Sequence, residues 1–255
     1  MTLFDNYARY YDLLYQDKDY IGETKFIQQL IQSHAPNTQT LLELGCGTAN
    51  HALLLAQEGY QVHGVDLSQA MLDFAKQRLS QVSPDLASQI QLTQGDIRQV
   101  RINQTFDVVA SLFHVISYQT TNADLLAAFV TARQHLKPGG IFIFDVWYGP
   151  AVLSDRPTVR IKRLENEQIQ VTRLAEPIMH AQQNLVDVNY QVFIRDNATG
   201  NVEEIRESHR MRYLFHPEIE LLLAQSGMNL VDAGEWMTSV AAGFDTWGVY
   251  FVARF

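Results

Sequence analysis

One cysteine stands among 255 residues, Cys46, so no internal disulfide can form. Basic residues are also few: 19 Lys and Arg against 28 Asp and Glu leave a formal net charge of −9, with no basic block. Affinity for nucleic acid rests on neutralising phosphates, so an acidic chain without a basic stripe is a poor DNA or RNA binder. No apolar run reaches the roughly 18 residues of a membrane span. The stretch Met1 to Tyr7 has neither a basic head nor an apolar signal core, which predicts a chain that stays in the cytoplasm. The eight histidines are scattered, without the His-x-x-x-His or Cys/His spacing of zinc sites, and no metal is expected. What is present is an ordinary globular composition, 47% hydrophobic and 18% charged, with length for a large core plus an appendage.

The most informative residues are Glu43-Leu44-Gly45-Cys46-Gly47-Thr48-Ala49-Asn50-His51. They follow a short apolar strand and open a helical run. Such a glycine turn brings backbone close to a ligand and aims free N–H groups at it. A second acidic residue, Asp66, follows in Gly64-Val65-Asp66-Leu67-Ser68. A carboxylate at the end of the second strand is placed to accept the ribose hydroxyls of an adenosine ligand. A dinucleotide site needs a third glycine where Asn50 stands, and no Walker lysine follows to hold nucleotide phosphates.

Strands and helices alternate up to Phe144, the mark of a doubly wound parallel α/β sheet. Strands are predicted at Thr40–Leu44, Gln61–Val65, Ile90–Gln94, Phe106–Ala110 and Ile141–Val146. Helices are predicted at Asp19–Ser33, Ala49–Glu58, Ser68–Ser80 and Asn122–His135. From about Thr158 to Phe215 the residues alternate and are rich in Val, Ile, Thr and Tyr, with a turn at Asp196 to Asn201. This reads as an inserted antiparallel meander. A helix at Pro217–Ser226 and strands at Met228–Glu235 and Trp247–Phe255 then resume the core pattern.

The stretch Glu43 to Thr48 closely resembles motif I of class I S-adenosylmethionine-dependent methyltransferases, with Ala49 at the usual third glycine. Gln61 to Ser68, Gln94-Gly95-Asp96-Ile97, Phe106 to Ser111 and Leu136 to Phe144 resemble the next motifs of that family in order. The resemblance implies a Rossmann-like seven-stranded sheet and S-adenosyl-L-methionine as cofactor. It divides the chain into amino-terminal lid helices and cofactor core at 1–149, a β insertion over the acceptor at 150–215, and closing core elements at 216–255. It implies cofactor contacts from Glu43, Gly45, Cys46, Gly47, Asn50 and His51, from Asp66, Leu67 and Met71, and from Asp96 and Ile97. Leu112, Phe113 and His114 after the fourth strand, with Tyr11 and Tyr20, complete that set.

Four tyrosines, Tyr10, Tyr11, Tyr15 and Tyr20, crowd eleven residues and read as an aromatic lid; a ring face can attract a sulfonium cation. The exocyclic-nitrogen nucleic-acid enzymes carry Asn-Pro-Pro-Tyr where this chain has Ser111-Leu112-Phe113-His114, which favours a small-molecule acceptor. In Ser208 to Tyr213 the period of two puts His209, Met211 and Tyr213 on one face, and Arg210 and Arg212 on the other. The arginines are read as solvating an exposed face or pairing with acceptor phosphates. The whole layout is similar to the N,N-dimethyltransferases of nucleotide-linked aminodeoxysugars. That resemblance implies catalytic or acceptor-side roles for Tyr15, Tyr118 and His209, and acceptor contacts from Trp147 and Tyr148. A glycine-type amino-acid N-methyltransferase, a small-molecule O-methyltransferase and a cofactor-binding regulator are the alternatives. The partner expected is a small molecule, with no nucleic acid and no membrane; a homodimer is compatible with the sequence.

Overall fold

The computed structural model describes residues 10–255; the stretch Met1 to Tyr7 lies outside the described residues. A helical turn at residues 10–14 leads into α1 (Tyr20–His34), β1 (Thr40–Leu44), α2 (Asn50–Gln57), β2 (Gln61–Asp66) and α3 (Gln69–Leu79). A short α4 (Pro84–Ala87), β3 (Ile90–Gln94), β4 (Phe106–Ser111), α5 (Asn122–Gln134) and β5 (Leu136–Tyr148) complete the first half. The remainder runs α6 (Gly149–Ser154), β6 (Arg160–Glu165), β7 (Ile169–His180), β8 (Leu185–Asp196) and β9 (Val202–Leu214). It ends with α7 (His216–Gln225), β10 (Asn229–Glu235) and β11 (Gly248–Arg254).

The core sheet has the order β3-β2-β1-β4-β5-β11-β10, with β1 to β5 parallel and β11 antiparallel to β5. Period-two alternation decides which helices cover it. Leu42, Leu44, Val109, Phe142 and Phe144 face Leu125 and Phe129 of α5 and Leu223 of α7. Leu41, Val108, Ala110, Ile141 and Ile143 face Ile27 of α1 and Leu55 of α2. Both faces are therefore apolar, as a doubly wound sheet requires. Side-chain caps start the helices where the sequence offers them: Asp19 accepts from Gly22 N, Ser68 from Met71 N and Thr121 from Asp124 N. No described helix is long and apolar enough to cross a membrane.

The meander β6-β7-β8-β9 is antiparallel throughout. It attaches to the core through the last residues of β9, where Tyr213 pairs with Trp147 and Leu214 with Tyr148. Its inner face, with Val171, Val192, Ile194 and Ile205, packs on Tyr10 and Leu14 of the amino-terminal turn and on Met71 of α3. The turn is further tied by Asp12, which accepts from Thr48 Oγ1 at 2.9 Å and from Arg78 Nη2 at 2.7 Å.

The far face of β9 departs from its sequence reading. Arg210 is exposed and paired with Asp187 at 2.6 Å. Arg212, instead of reaching solvent or an acceptor, is buried: it donates to Asn122 Oδ1 at 2.6 Å and to Glu218. The end of β9 passes beneath the start of α5 and α7, so both of its faces are covered. Arg212→Met leaves Glu218 and Asn122 without that donor. It is expected to cost about 1.5–3 kcal/mol, the range for hydrogen bonds to charged groups. Urea denaturation checks this, an unchanged midpoint being the contrary result.

Candidate active site

The ends of all five parallel strands open on one cavity of about 440 Å³, within the size of small-molecule sites. Its floor is the turn after β1. Gly45 and Gly47 have φ of +85° and +53°, and Ala49, at the usual glycine position, has +61°. Gly45 N and Cys46 N both donate to Val65 O, which pins the turn to β2. A Cβ on Gly45 would lie 2.6 Å from both γ-carbons of Val115, whereas one on Gly47 would meet no atom within 4 Å. The first glycine is thus required by packing, and the second leaves room in the cavity.

Two carboxylates face this floor. Asp66 accepts from Gly47 N at 2.8 Å and Ser68 N at 2.9 Å, while burial raises its pKa. Glu43 is buried, and its Oε2 has no hydrogen-bond partner among the described residues. Burial, then repulsion by Asp66, pushes it up to about 8. Its neighbour His51 sits 3.8 Å from Oε1 and is held from behind by Glu23 at 2.7 Å. Burial would raise Glu23, but His51 and Lys18 together bring it down to about 2. A buried carboxyl oxygen lacking a partner is costly unless a ligand donor meets it. The arrangement thus fits an adenosine ligand bearing an ammonium group. Burial also pushes the Cys46 thiol well above its ordinary range, leaving it a packing group.

At the end of β3, Asp96 forms a two-pronged pair with Arg98, whose Nη1 also donates to Asp124 at 2.9 Å. After β4, Phe113 and His114 both adopt positive φ, 64° and 62°. Two such non-glycine residues in succession are strained and need support. Asp145, buried on β5, supplies it: its oxygens accept from His114 N at 3.1 and 3.2 Å, and His114 Nδ1 lies 2.7 Å from Oδ2. Ser117 Oγ accepts from Trp147 N at 3.0 Å and fixes the end of β5 to the same turn.

The other end of the cavity is aromatic. Tyr15 packs edge-on to Phe113 with centroids 4.9 Å apart, and Tyr190 packs edge-on to His209 at 5.0 Å. Tyr118 Oη is 2.8 Å from His209 Nδ1. Behind this pair, His209 Nε2 lies 3.4 Å from Glu207 Oε2, which also accepts from Tyr10 Oη at 2.7 Å. Burial holds the Tyr118 phenol well above its ordinary range.

Every residue read from sequence as touching cofactor or acceptor lines this cavity except Tyr148. Alternation along β5 explains the exception: Trp147 points into the cavity, and Tyr148 turns to the opposite face against the core. The sequence reading did not find Arg98, Asp145, Tyr190 or Glu207. A signal existed for the last, since Ile205, Glu207, His209 and Met211 share one buried face of β9 by period two. Asp145 had none, being one charged residue within the apolar run Ile141 to Trp147.

Comparison with known proteins supplies the chemistry. A family model described as a methyltransferase domain matches residues 41–140, the stretch that carries four of the five strand ends at the cavity. The chain carries a methyltransferase domain and resembles the class I S-adenosylmethionine-dependent methyltransferases, with S-adenosylmethionine as its cofactor. It is similar to the dTDP-3-amino-3,4,6-trideoxy-alpha-D-glucopyranose N,N-dimethyltransferase of Streptomyces venezuelae, 29% identical over 227 residues, 88% of this chain and 91% of that one. The crystal structure of Streptomyces venezuelae DesVI superposes with a TM-score of 0.79 at 26% identity, covering 97% of both chains. An S-adenosylmethionine-dependent methyltransferase from Clostridium acetobutylicum ATCC 824 gives a TM-score of 0.81 at 24% identity over 99% of both chains, a likeness of fold.

Proposed function

We propose that this enzyme methylates the amino nitrogen of a small molecule, and that its acceptor is an aminodeoxysugar carried on a nucleotide. The observation that carries the reading is the aromatic chamber of Tyr15, Phe113, Trp147 and Tyr190 around the Tyr118–His209 pair, continuous with the cofactor floor. Aromatic walls suit the apolar faces of a sugar, and neutral hydroxyl and imidazole groups orient an amine without fixing its charge. Relatives named for aminodeoxysugar nucleotides support the same class.

At the cofactor end, Glu43 would meet the ammonium, the Gly45–Gly47 backbone would hold methionine and ribose, Asp66 would accept from the ribose, and Asp96 with the Ile97 N–H would hold the adenine. When bound, S-adenosylmethionine supplies a methyl group already activated by its sulfonium. The protein's contribution is then mainly alignment, which can supply several kcal/mol of the barrier, up to about 7–11 in the best intramolecular cases. Tyr15 and Trp147 hold the sugar, and Tyr118 orients the amine.

The test is transfer of labelled methyl to a panel holding aminodeoxysugar nucleotides, glycine, small phenols and tRNA. Label in an aminodeoxysugar nucleotide is expected. Label confined to glycine or a phenol would move the acceptor class. Label in tRNA alone would overturn it. Cofactor binding with no transfer to any of them would favour a regulator.

A further inference from the structure

Glu207 lies behind the aromatic end of the cavity, does not line it, and reaches it through His209. Glu207 and His209 are both buried, on the inward face of β9, and Tyr190 of β8 pairs with Glu207 across the strands. The titratable and charged groups facing this pair are Tyr10 from the amino-terminal turn, Tyr15, Tyr118, Arg173 of β7 and Tyr190.

The donors in this group have one consistent order. Taken as the donor across the 2.8 Å contact, the Tyr118 hydroxyl leaves His209 Nδ1 as the acceptor. His209 must then carry its proton on Nε2, which faces the Glu207 carboxylate at 3.4 Å. Tyr10 donates to the same carboxylate oxygen at 2.7 Å. In this order Tyr118 donates to His209 and His209 to Glu207, which also accepts from Tyr10.

We infer that Glu207 is a positioning residue that fixes the His209 tautomer and balances its charge, so that Tyr118 and His209 form a proton exit for the acceptor amine. The inference rests on the amine reading above. An amine reaches the chamber as an ammonium and must free its lone pair. One N–H proton moves to the Tyr118 oxygen while the Tyr118 proton moves to His209 Nδ1. The products are a neutral amine, a tyrosine that is again a phenol, and an imidazolium facing a carboxylate. No other group changes charge, and the proton passes from His209 to water when product is exchanged. Without Glu207 the imidazolium would stand near Arg173 with no buried carboxylate to balance it, which is costly.

Two measurements on the protein without cofactor test this, and kinetics follow. A long-range proton–nitrogen spectrum should show His209 protonated at Nε2 and bare at Nδ1; a proton on Nδ1 overturns the proposal. In Glu207→Gln, the imidazole should titrate at least about one pH unit lower, a tenfold change in proton affinity. In the loaded enzyme the same variant should lose about tenfold or more in kcat at neutral pH, with the acceptor KM kept, and recover part of it as pH rises. An unchanged titration together with an unchanged kcat overturns the role. Should Glu207→Gln fail to fold, the tautomer is still read in the unaltered protein, and Tyr10→Phe, which frees the carboxylate of one donor, should move the titration upward. Failure of the amine reading shows differently: the tautomer and titrations stand, but no amine is methylated.

Discussion

Binding of S-adenosylhomocysteine should tighten about tenfold for each pH unit between pH 6 and 8, because Glu43 must be ionised to meet an ammonium. The carboxyl is buried, faces Asp66 and is pushed up to about 8. Below that value most of the free protein holds Glu43 protonated, and binding must expel the proton. The same shift sets a sign for stability. A carboxyl raised in the folded state favours folding below its ordinary range, and that contribution is lost as pH rises through about 8. The ligand-free protein should therefore melt at lower temperature at pH 8 than at pH 5, and the increment conferred by the ligand should grow with pH. Glu43→Gln should flatten both trends, stabilise the free protein at pH 8 and weaken binding there by about 10- to 100-fold. Calorimetry and thermal melts at three pH values decide it. A variant that binds as tightly as the parent at pH 8 would remove Glu43 from the cofactor site.

Gly45→Ala and Gly47→Ala should fail in different ways, although both glycines lie in one turn at positive φ. At Gly45 the methyl would lie 2.6 Å from Val115, so backbone strain and overpacking act together. The expected loss is about 2–5 kcal/mol of folding stability, roughly 1–2 from the left-handed backbone and 1–3 from the clash. Val115→Ala in the same chain should restore the packing part and leave the strain, a coupling that a double-mutant cycle measures. At Gly47 the methyl meets no atom within 4 Å. Stability should fall by only about 1–2 kcal/mol, while the methyl intrudes on the floor and weakens cofactor binding by about tenfold or more. Equal stability losses in the two variants would contradict this division.

Most of the core was legible because both faces of the sheet are packed by helices, which leaves apolar runs in the central strands β1, β4 and β5 and alternation in the edge strand β3. Thr40–Leu44 and Ile90–Gln94 are observed with the bounds read from sequence. The helix over Gly149–Ser154 was not anticipated, its six residues being too short to show a period. The cavity floor was readable since its glycines and Asp66 lie within one strand–helix–strand unit, β1 to β2. The acceptor chamber was readable only in its aromatic residues. Its wiring joins positions far apart in the chain, Tyr10 with Glu207 and Tyr118 with His209, and no local pattern marks such pairs. Tyr148 was misplaced because a resemblance names a motif, whereas the side a residue faces depends on the pleat of β5.

The narrow seam between β9 and β5 bears on how such an enzyme changes its substrate over generations. Only Trp147 with Tyr213 and Tyr148 with Leu214 register the four-stranded meander on the core sheet. Strands β6, β7 and β8 make no pairs with the core strands. Mutations, insertions or exchange of whole hairpins there can redraw the side of the cavity that Tyr190 and His209 supply, while the turn after β1 stays on an undisturbed frame. In the function proposed above, one wall of the acceptor chamber is thereby inherited apart from Glu43, Gly45 and Asp66, whereas Tyr15, Phe113 and Trp147 stay with the rest of the chain, so a lineage can vary that wall without relearning how to hold the methyl source.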